Sequence, residues 1–230
     1  MAKKVALLTD ELCAYIFCAK SPSCGMERVK TYSPEGHSLA SDSQGLFAQQ
    51  IMQANPLLPC EENGRLNDPF LRENFVLRVY AYKNWKNLVA GELTKHKLIE
   101  FHSQYKYLLM SHDVIAYQVL GRMLAKAETN IDDLKNQYIH CFMTALKKIA
   151  TRKSHTATLQ HLQGYFKKQL NKQQKQELHN SIHSFRLGLV PLLVPITLLK
   201  HYLMQYPNAY LTKQIYLEPY PQDLRLRYAY

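Results

Sequence analysis

In residues 131–149, IDDLKNQYIHCFMTALKKI, the apolar side chains Ile131, Leu134, Tyr138, Phe142, Ala145 and Ile149 recur at intervals of three and four. That interval is the period of an α-helix, so the six share one face and the charged residues take the other. The pattern continues in both directions. Upstream, Leu71, Phe75, Val79, Tyr82 and Val89 form a stripe with Trp85 beside it; Leu98, Phe101, Tyr105 and Leu108 form a second; Leu120, Leu124 and Ala127 belong to a third helix. Downstream come Leu159, Leu162, Phe166 and Leu170, then Leu178, Ile182, Phe185 and Leu189. A seventh helix starts near Pro191 or Pro195, either of which suits a first turn, and ends before Pro207. Short connections between these segments predict a bundle of about seven helices over residues 70–230.

The remaining residues, 1–69, do not carry that period. Residues 3–12 suit a helix end. Ala14–Ala19 (AYIFCA) is apolar, aromatic and β-branched and reads as a short buried strand. Ser21-Pro22-Ser23-Cys24-Gly25 is a loop, because Pro fixes one dihedral and Gly relaxes another. Val29–Tyr32 suits an edge strand. Ser43–Ala54 suits an amphipathic helix with Leu46, Phe47, Gln50 and Ile51 near one face, stopped by Asn55-Pro56. Leu57–Cys60 reads as a last strand. Strand, loop, helix, strand is part of an α/β domain, too small by itself to close a core. The expected fold class is therefore mainly α, with a partial α/β segment in front. That segment is expected either to pack on the bundle or to lack a fixed structure.

The chain has 230 residues, 47% of them hydrophobic and 20% charged, so it has the material for a real core and is not a disordered polyelectrolyte. Asp10 and Glu11 cut short the only apolar run near the start, well before a secretory signal would be complete. The longest apolar stretch, Leu187–Leu199, is shorter than the ~20 residues a membrane helix needs, and two prolines interrupt it. Five cysteines without a secretory signal suggest reduced thiols. These features lead us to expect a cytoplasmic protein with no membrane contact.

Charge is unevenly divided. Residues 1–69 hold 6 Lys/Arg and 8 Asp/Glu, and residues 70–230 hold 23 and 10, so the whole positive excess lies in the helical part. From Leu134 to Gln176 there are nine Lys/Arg and no acid. Such a block is an electrostatic footprint for phosphate groups, or a solvated face that keeps the protein in solution.

Thr151–Lys168, TRKSHTATLQHLQGYFKK, is the densest part of this block. Arg152, Lys153 and Lys167 can pair with phosphate, and His155 and His161 offer imidazoles. Tyr165 can stack on a base and Gln160 can read a base edge. The alternative is a basic amphipathic helix whose His155, four residues before Leu159, belongs to the core; periodicity does not separate the two. His102 and Lys106 share a helix face, with His112 just beyond, and suit either an anion or a plain surface. His179 and His183 are four apart on a helix, a spacing that two metal ligands can use, but it lacks the intervening acid of a zinc-protease helix and an evident third ligand. Cys24, in its loop after a strand, is the cysteine best suited to hold a metal, but one cysteine cannot hold a cluster, and by spacing alone Cys13, Cys18 and Cys24 read as core thiols.

Four blocks carry a family resemblance: FVLRVYAYKNWKNL (75–88), LIEFHSQYKYLLMSH (98–112), ATRKSHTATLQHLQGYFKKQL (150–170) and RLGLVPLLVPITLLKHYL (186–203). With AYLTKQIYLEPYP (209–221), they make residues 70–221 resemble the YbgA-like family, a bacterial domain of unknown function. The family pattern has Asn two residues after the histidine at 155, where this chain has Ala157. CAYIFCAKSPSCGMERVKTY (13–32) and PLLPCEENGRLNDPFLRENF (56–75) resemble the C-terminal end of the TudS-like thiouracil desulfidases. That resemblance implies a [4Fe–4S] cluster on three cysteines in the complete family, with Cys24 matching the last of them. Cys13, Cys18 and Cys60 do not match the other two. It therefore implies a truncated reading frame or a remnant, without a cluster of its own and inactive as a desulfidase, whose missing N-terminal half would be a partner.

Together these readings anticipate a nucleotide, tRNA or other nucleic-acid binding module in which His102, Lys106, His112, Arg152, Lys153, His155, Gln160, His161, Tyr165 and Lys167 gather around one hollow. An inactive desulfidase fragment and a protein-interaction scaffold are the alternatives.

Overall fold

A computed structural model of the chain describes residues 11–126 and 130–228. The chain divides into two units, Met1–Lys86 and Asn87–Tyr230. The sequence boundary after Pro69 falls at the start of a helix, and the division between the units falls near that helix's end.

In the first unit, β1 (Tyr15–Phe17) pairs in parallel with β4 (Cys60–Glu62), Tyr15 opposite Cys60 and Phe17 opposite Glu62. The last strand lies later than Leu57–Cys60 because Pro59 has no N–H to give a ladder; its carbonyl instead accepts from Tyr15 N at 2.9 Å. Between these strands, β2 (Val29–Tyr32) and β3 (Ser38–Ser43) form an irregular antiparallel hairpin. The sequence gives little notice of β3, whose residues, SLASDS, are mostly small and polar. Helix α1 (Leu46–Ala54) buries Ala48 and Ile51, whereas Leu46 is exposed, a correction to the face read from periodicity. Residues 3–10 of the expected first helix end lie outside the described residues.

Helix α2 (Pro69–Val89) supplies this unit with the cover that four short strands lack. It buries Phe75, Leu77, Ala81, Tyr82 and Trp85, each worth about 2 kcal/mol for the larger side chains. Tyr82 Oη accepts from Asn55 Nδ2 at 2.9 Å, and Lys86 Nζ donates to the Leu12 carbonyl at 3.1 Å. The α/β segment thus builds its core with a helix that the sequence reading had assigned to the bundle.

The second unit follows the periodicity closely. Its helices are α3 (Lys95–His112), α4 (Val114–Ala125), α5 (Ile131–Lys147), α6 (Arg152–Gln163), α7 (Lys172–Leu187) and α8 (Leu193–Gln205), followed by the short α9 (Ala209–Thr212). With α2 these make the seven long helices expected, and the chain is mainly α. Ala127, expected in the third helix, lies outside the described residues.

Local chemistry writes most of the boundaries. Thr94, Asp113 and Asn130 accept from the first free N–H groups of α3, α4 and α5, at 3.3, 3.0 and 2.8 Å. Thr151 with Ser154, and Asn171 with Gln174, form reciprocal capping boxes on α6 and α7. Gly188 ends α7 in a left-handed conformation, φ 82°, that a side chain would strain. The apolar stripe of α6 runs on past Gly164, where the helix tightens into a 3₁₀ turn, Gly164–Phe166.

Helix α3 is central, touching α4, α5, α6 and the turn Ile215–Leu217. Its Phe101 and Tyr105 rings lie 4.5 Å apart and meet Phe142 of α5 at 5.3 and 5.0 Å. Among the described residues no helix is long and apolar enough to cross a membrane.

Candidate functional site

Two places carry chemistry, one in each unit. In the first unit, the loop Ser21–Gly25 leaves the carboxyl end of β1. The Ser23 carbonyl accepts from the first N–H groups of α1, Phe47 at 2.9 Å and Ala48 at 3.2 Å. This brings Gly45 against the loop so closely that a Cβ there would lie 2.4 Å from the Ser23 carbonyl carbon and oxygen. Cys24 N–H reaches Ser21 Oγ at 3.3 Å, and Cys24 Sγ lies 3.3 Å from Ser23 Oγ. The segment after Cys24 is organised by the buried carboxylate of Glu62. It accepts from Met26 N at 3.0 Å, Glu27 N at 3.3 Å and Arg28 Nη2 at 3.2 Å. Glu61, also buried, holds Arg65 at 2.7 Å, and that contact raises the Arg65 pKa.

The cluster implied by the desulfidase resemblance can be tested on this geometry. All five cysteines are free thiols. Among the described residues, no three His, Cys, Asp or Glu side chains converge to hold a metal ion. The neighbours of Cys24 in its loop are hydroxyls. The described residues by themselves do not fit a three-thiolate cluster.

In the second unit, the ten residues expected around one hollow go to several places, which corrects that geometric expectation. His155 is a core residue. Its Nδ1 lies 3.0 Å from Tyr216 Oη, and its ring meets the rings of Phe185 and Tyr216. Burial holds its pKa well below the usual histidine value, with Arg227 and His112 acting in the same direction. The reason is positional: four residues before Leu159, it points along the apolar stripe. His112 donates from Nδ1 to the Lys148 carbonyl at 2.6 Å, joining the end of α3 to the end of α5. Arg152 donates to the Phe185 carbonyl at 3.3 Å and lies over the Phe185 ring, capping the last turn of α7.

His102, Lys106 and Tyr165 share a neighbourhood rich in tyrosine. His102 stacks on Tyr117 and its Nδ1 lies 3.1 Å from Tyr138 Oη. Burial, with help from the Lys106 charge, pushes its pKa down to about 4. Lys106 sits 5.1 Å from the centre of the Tyr107 ring. Tyr107 donates to Tyr165 Oη at 3.0 Å, and Tyr165 stacks on Tyr210. His102 and Tyr138, and Tyr107 and Tyr165, thus satisfy one another within the protein. His161 and Lys167 are exposed.

Lys153 and Gln160 do share a groove. It lies between α6 and α7, has a volume of about 320 Å³, and its floor includes Thr156 and the buried Ile182. Lys153, Ala157 and Gln160 line one side at positions i, i+4 and i+7 of α6; His179, His183 and Arg186 line the other with the same spacing on α7. The two imidazole rings are parallel, 6.3 Å apart. Among the described residues, no acid lines the groove. Ala157 sits in it, and its short side chain leaves that part of the groove open. His179, His183 and Arg186 were not read as part of this site. Their signal was the matching polar stripe on the next helix, visible only once α6 and α7 are known to pack together.

Comparison with known proteins supplies a second kind of evidence. Residues 106–221 match the family model for "Protein of unknown function (DUF1722)", and residues 1–63 match the model for "2-thiouracil desulfurase". The chain is 34% identical over 159 residues to "Uncharacterized protein YbgA" of Escherichia coli (strain K12), an alignment covering 68% of this chain and 94% of that one. No solved structure matches.

Proposed function

The chain belongs to the YbgA-like family, DUF1722, and from that premise we propose that its helical unit binds a phosphate-bearing ligand, a nucleotide or structured nucleic acid, in the groove between α6 and α7. The observation that carries this reading is the opposition of Lys153 and Arg186 across a groove that also holds two imidazoles and an amide and no acid. Lys153 and Arg186 meet phosphate oxygens, with the planar guanidinium able to grip two at once. Gln160 and the two histidine rings have the donors and flat faces a base or sugar needs. The match of residues 1–63 to the 2-thiouracil desulfurase model supports thiolated-base metabolism as the setting.

The test is a salt titration of bulk tRNA binding from 50 to 200 mM, on the wild type and on the double variant Lys153→Glu/Arg186→Glu. Loss of two phosphate contacts lowers the slope of log K against log salt by about 2 and weakens binding at 50 mM salt. An unchanged slope and affinity in a variant with wild-type circular dichroism would exclude the groove as the binding site.

A further inference from the structure

A second concavity lies on the other side of the helical unit's sequence, between α8 and the C-terminal segment 217–227. Its volume is about 360 Å³, within the usual range for small-ligand sites, and none of its lining residues belongs to the α6–α7 groove. Ile196, Met204, Leu217 and Tyr220 give it an apolar wall. The segment that closes it is held from within by Arg227, which is buried, donates to the Tyr216 carbonyl at 2.9 Å, and lies over the rings of Tyr216 and Tyr220. The polar groups sit at the edge: Lys200, His201 and Arg225. Glu218 is the only acid in the lining, and Lys200 already holds it at 2.7 Å. Arg225, exposed at the rim, has no ion pair among the described residues. It also occupies the left-handed region, φ 52°, where glycine would be easier.

From this combination we propose that the pocket between α8 and the C-terminal segment binds a small amphipathic organic anion, its apolar body against Ile196 and Tyr220 and its acidic head at Arg225. A fully polar ligand would leave the apolar wall unused, and a neutral or cationic one would make no charge-assisted contact with Arg225.

Two fluorescent probes of nearly the same shape separate these cases: 8-anilino-1-naphthalenesulfonate, an anion, and N-phenyl-1-naphthylamine, which lacks the sulfonate. The wild type should bind one equivalent of the anion, and several-fold more tightly than the neutral amine. Arg225→Gly keeps the backbone conformation and removes the charge; it should weaken the anion about fivefold and leave the amine unchanged. Thr197→Trp, at an exposed position on the pocket lining, should block both probes. Lys153→Glu/Arg186→Glu should leave both intact, which keeps this outcome separate from that of the nucleic-acid experiment. Equal affinity for the two probes, an anion affinity indifferent to Arg225→Gly, or binding that survives Thr197→Trp would each overturn the proposal.

Discussion

Two half-buried histidines of the helical unit, His102 and His155, should make it acid-labile. Replacing His155 with Gln removes one titrating group and keeps a hydrogen-bonding side chain opposite Tyr216. In the unfolded chain a histidine titrates near 6.5. In the folded protein burial holds His155 well below that value, and His102 falls to about 4. The unfolded state therefore takes up protons first. The stability each ring permits is complete above about pH 6.5 and declines as pH falls below it. For His102 the decline ends near pH 4. At pH 5 the unfolded state gains RT ln(1 + 10^1.5), about 2 kcal/mol per histidine, and the folded His102 almost nothing. His102 should thus cost about 2 kcal/mol between pH 7 and pH 5, and His155 adds a loss of the same sign. The assay is urea unfolding at both pH values followed by far-UV circular dichroism, which the helices dominate. Other groups titrate over this range too, so the informative quantity is the acid loss of the wild type minus that of His155→Gln. It should be positive, the variant losing less stability on acidification than the wild type. A difference near zero would mean that the folded protein protonates His155 as readily as the unfolded chain does. The pairing with Tyr216 in a water-excluding core would then be wrong.

Two further substitutions probe how the units are built. Glu62→Ala leaves the Met26 and Glu27 N–H groups and the Arg28 guanidinium without their shared carboxylate; the first unit should lose about 3 kcal/mol in urea unfolding read by fluorescence of Trp85, the chain's one tryptophan. A loss under 1 kcal/mol would remove Glu62 as the organiser of the loop after Cys24. Gly188→Ala forces a Cβ into a left-handed position at the end of α7 and should cost about 1 kcal/mol by circular dichroism; no loss would mean that the helix end relaxes to another conformation.

The helices were legible because their information is local. The apolar stripes set their faces, and Thr94, Asp113, Asn130, Thr151 and Asn171 each announce a start within one turn of it. The boundary of the first unit was not legible, because α2 has a helical pattern whichever unit it covers. Its assignment rests on Tyr82, which meets Asn55, and on Lys86, which meets the Leu12 carbonyl, contacts that span 27 and 74 residues. Resemblance to a known family found the YbgA-like part correctly, and could do so without knowing which helices touch.

The site divides along the same line. A cationic segment is visible as composition, but composition does not say which way a side chain turns. Arg152 and Lys153 are neighbours in sequence and lie about 100° apart around α6. One therefore caps α7 at the Phe185 carbonyl while the other enters the groove. His155 turns inward with Leu159 and loses its charge; Gln160 turns outward and meets the polar stripe of α7. What makes the groove here is therefore the pairing of two i, i+4, i+7 stripes, 153/157/160 and 179/183/186, across one helix–helix contact. Neither stripe is distinctive alone. Ala157 lies on the same line and is exposed, so Ala157→Asn should alter the tRNA affinity proposed for this groove, read by the same salt titration, while leaving the circular dichroism of the core unchanged.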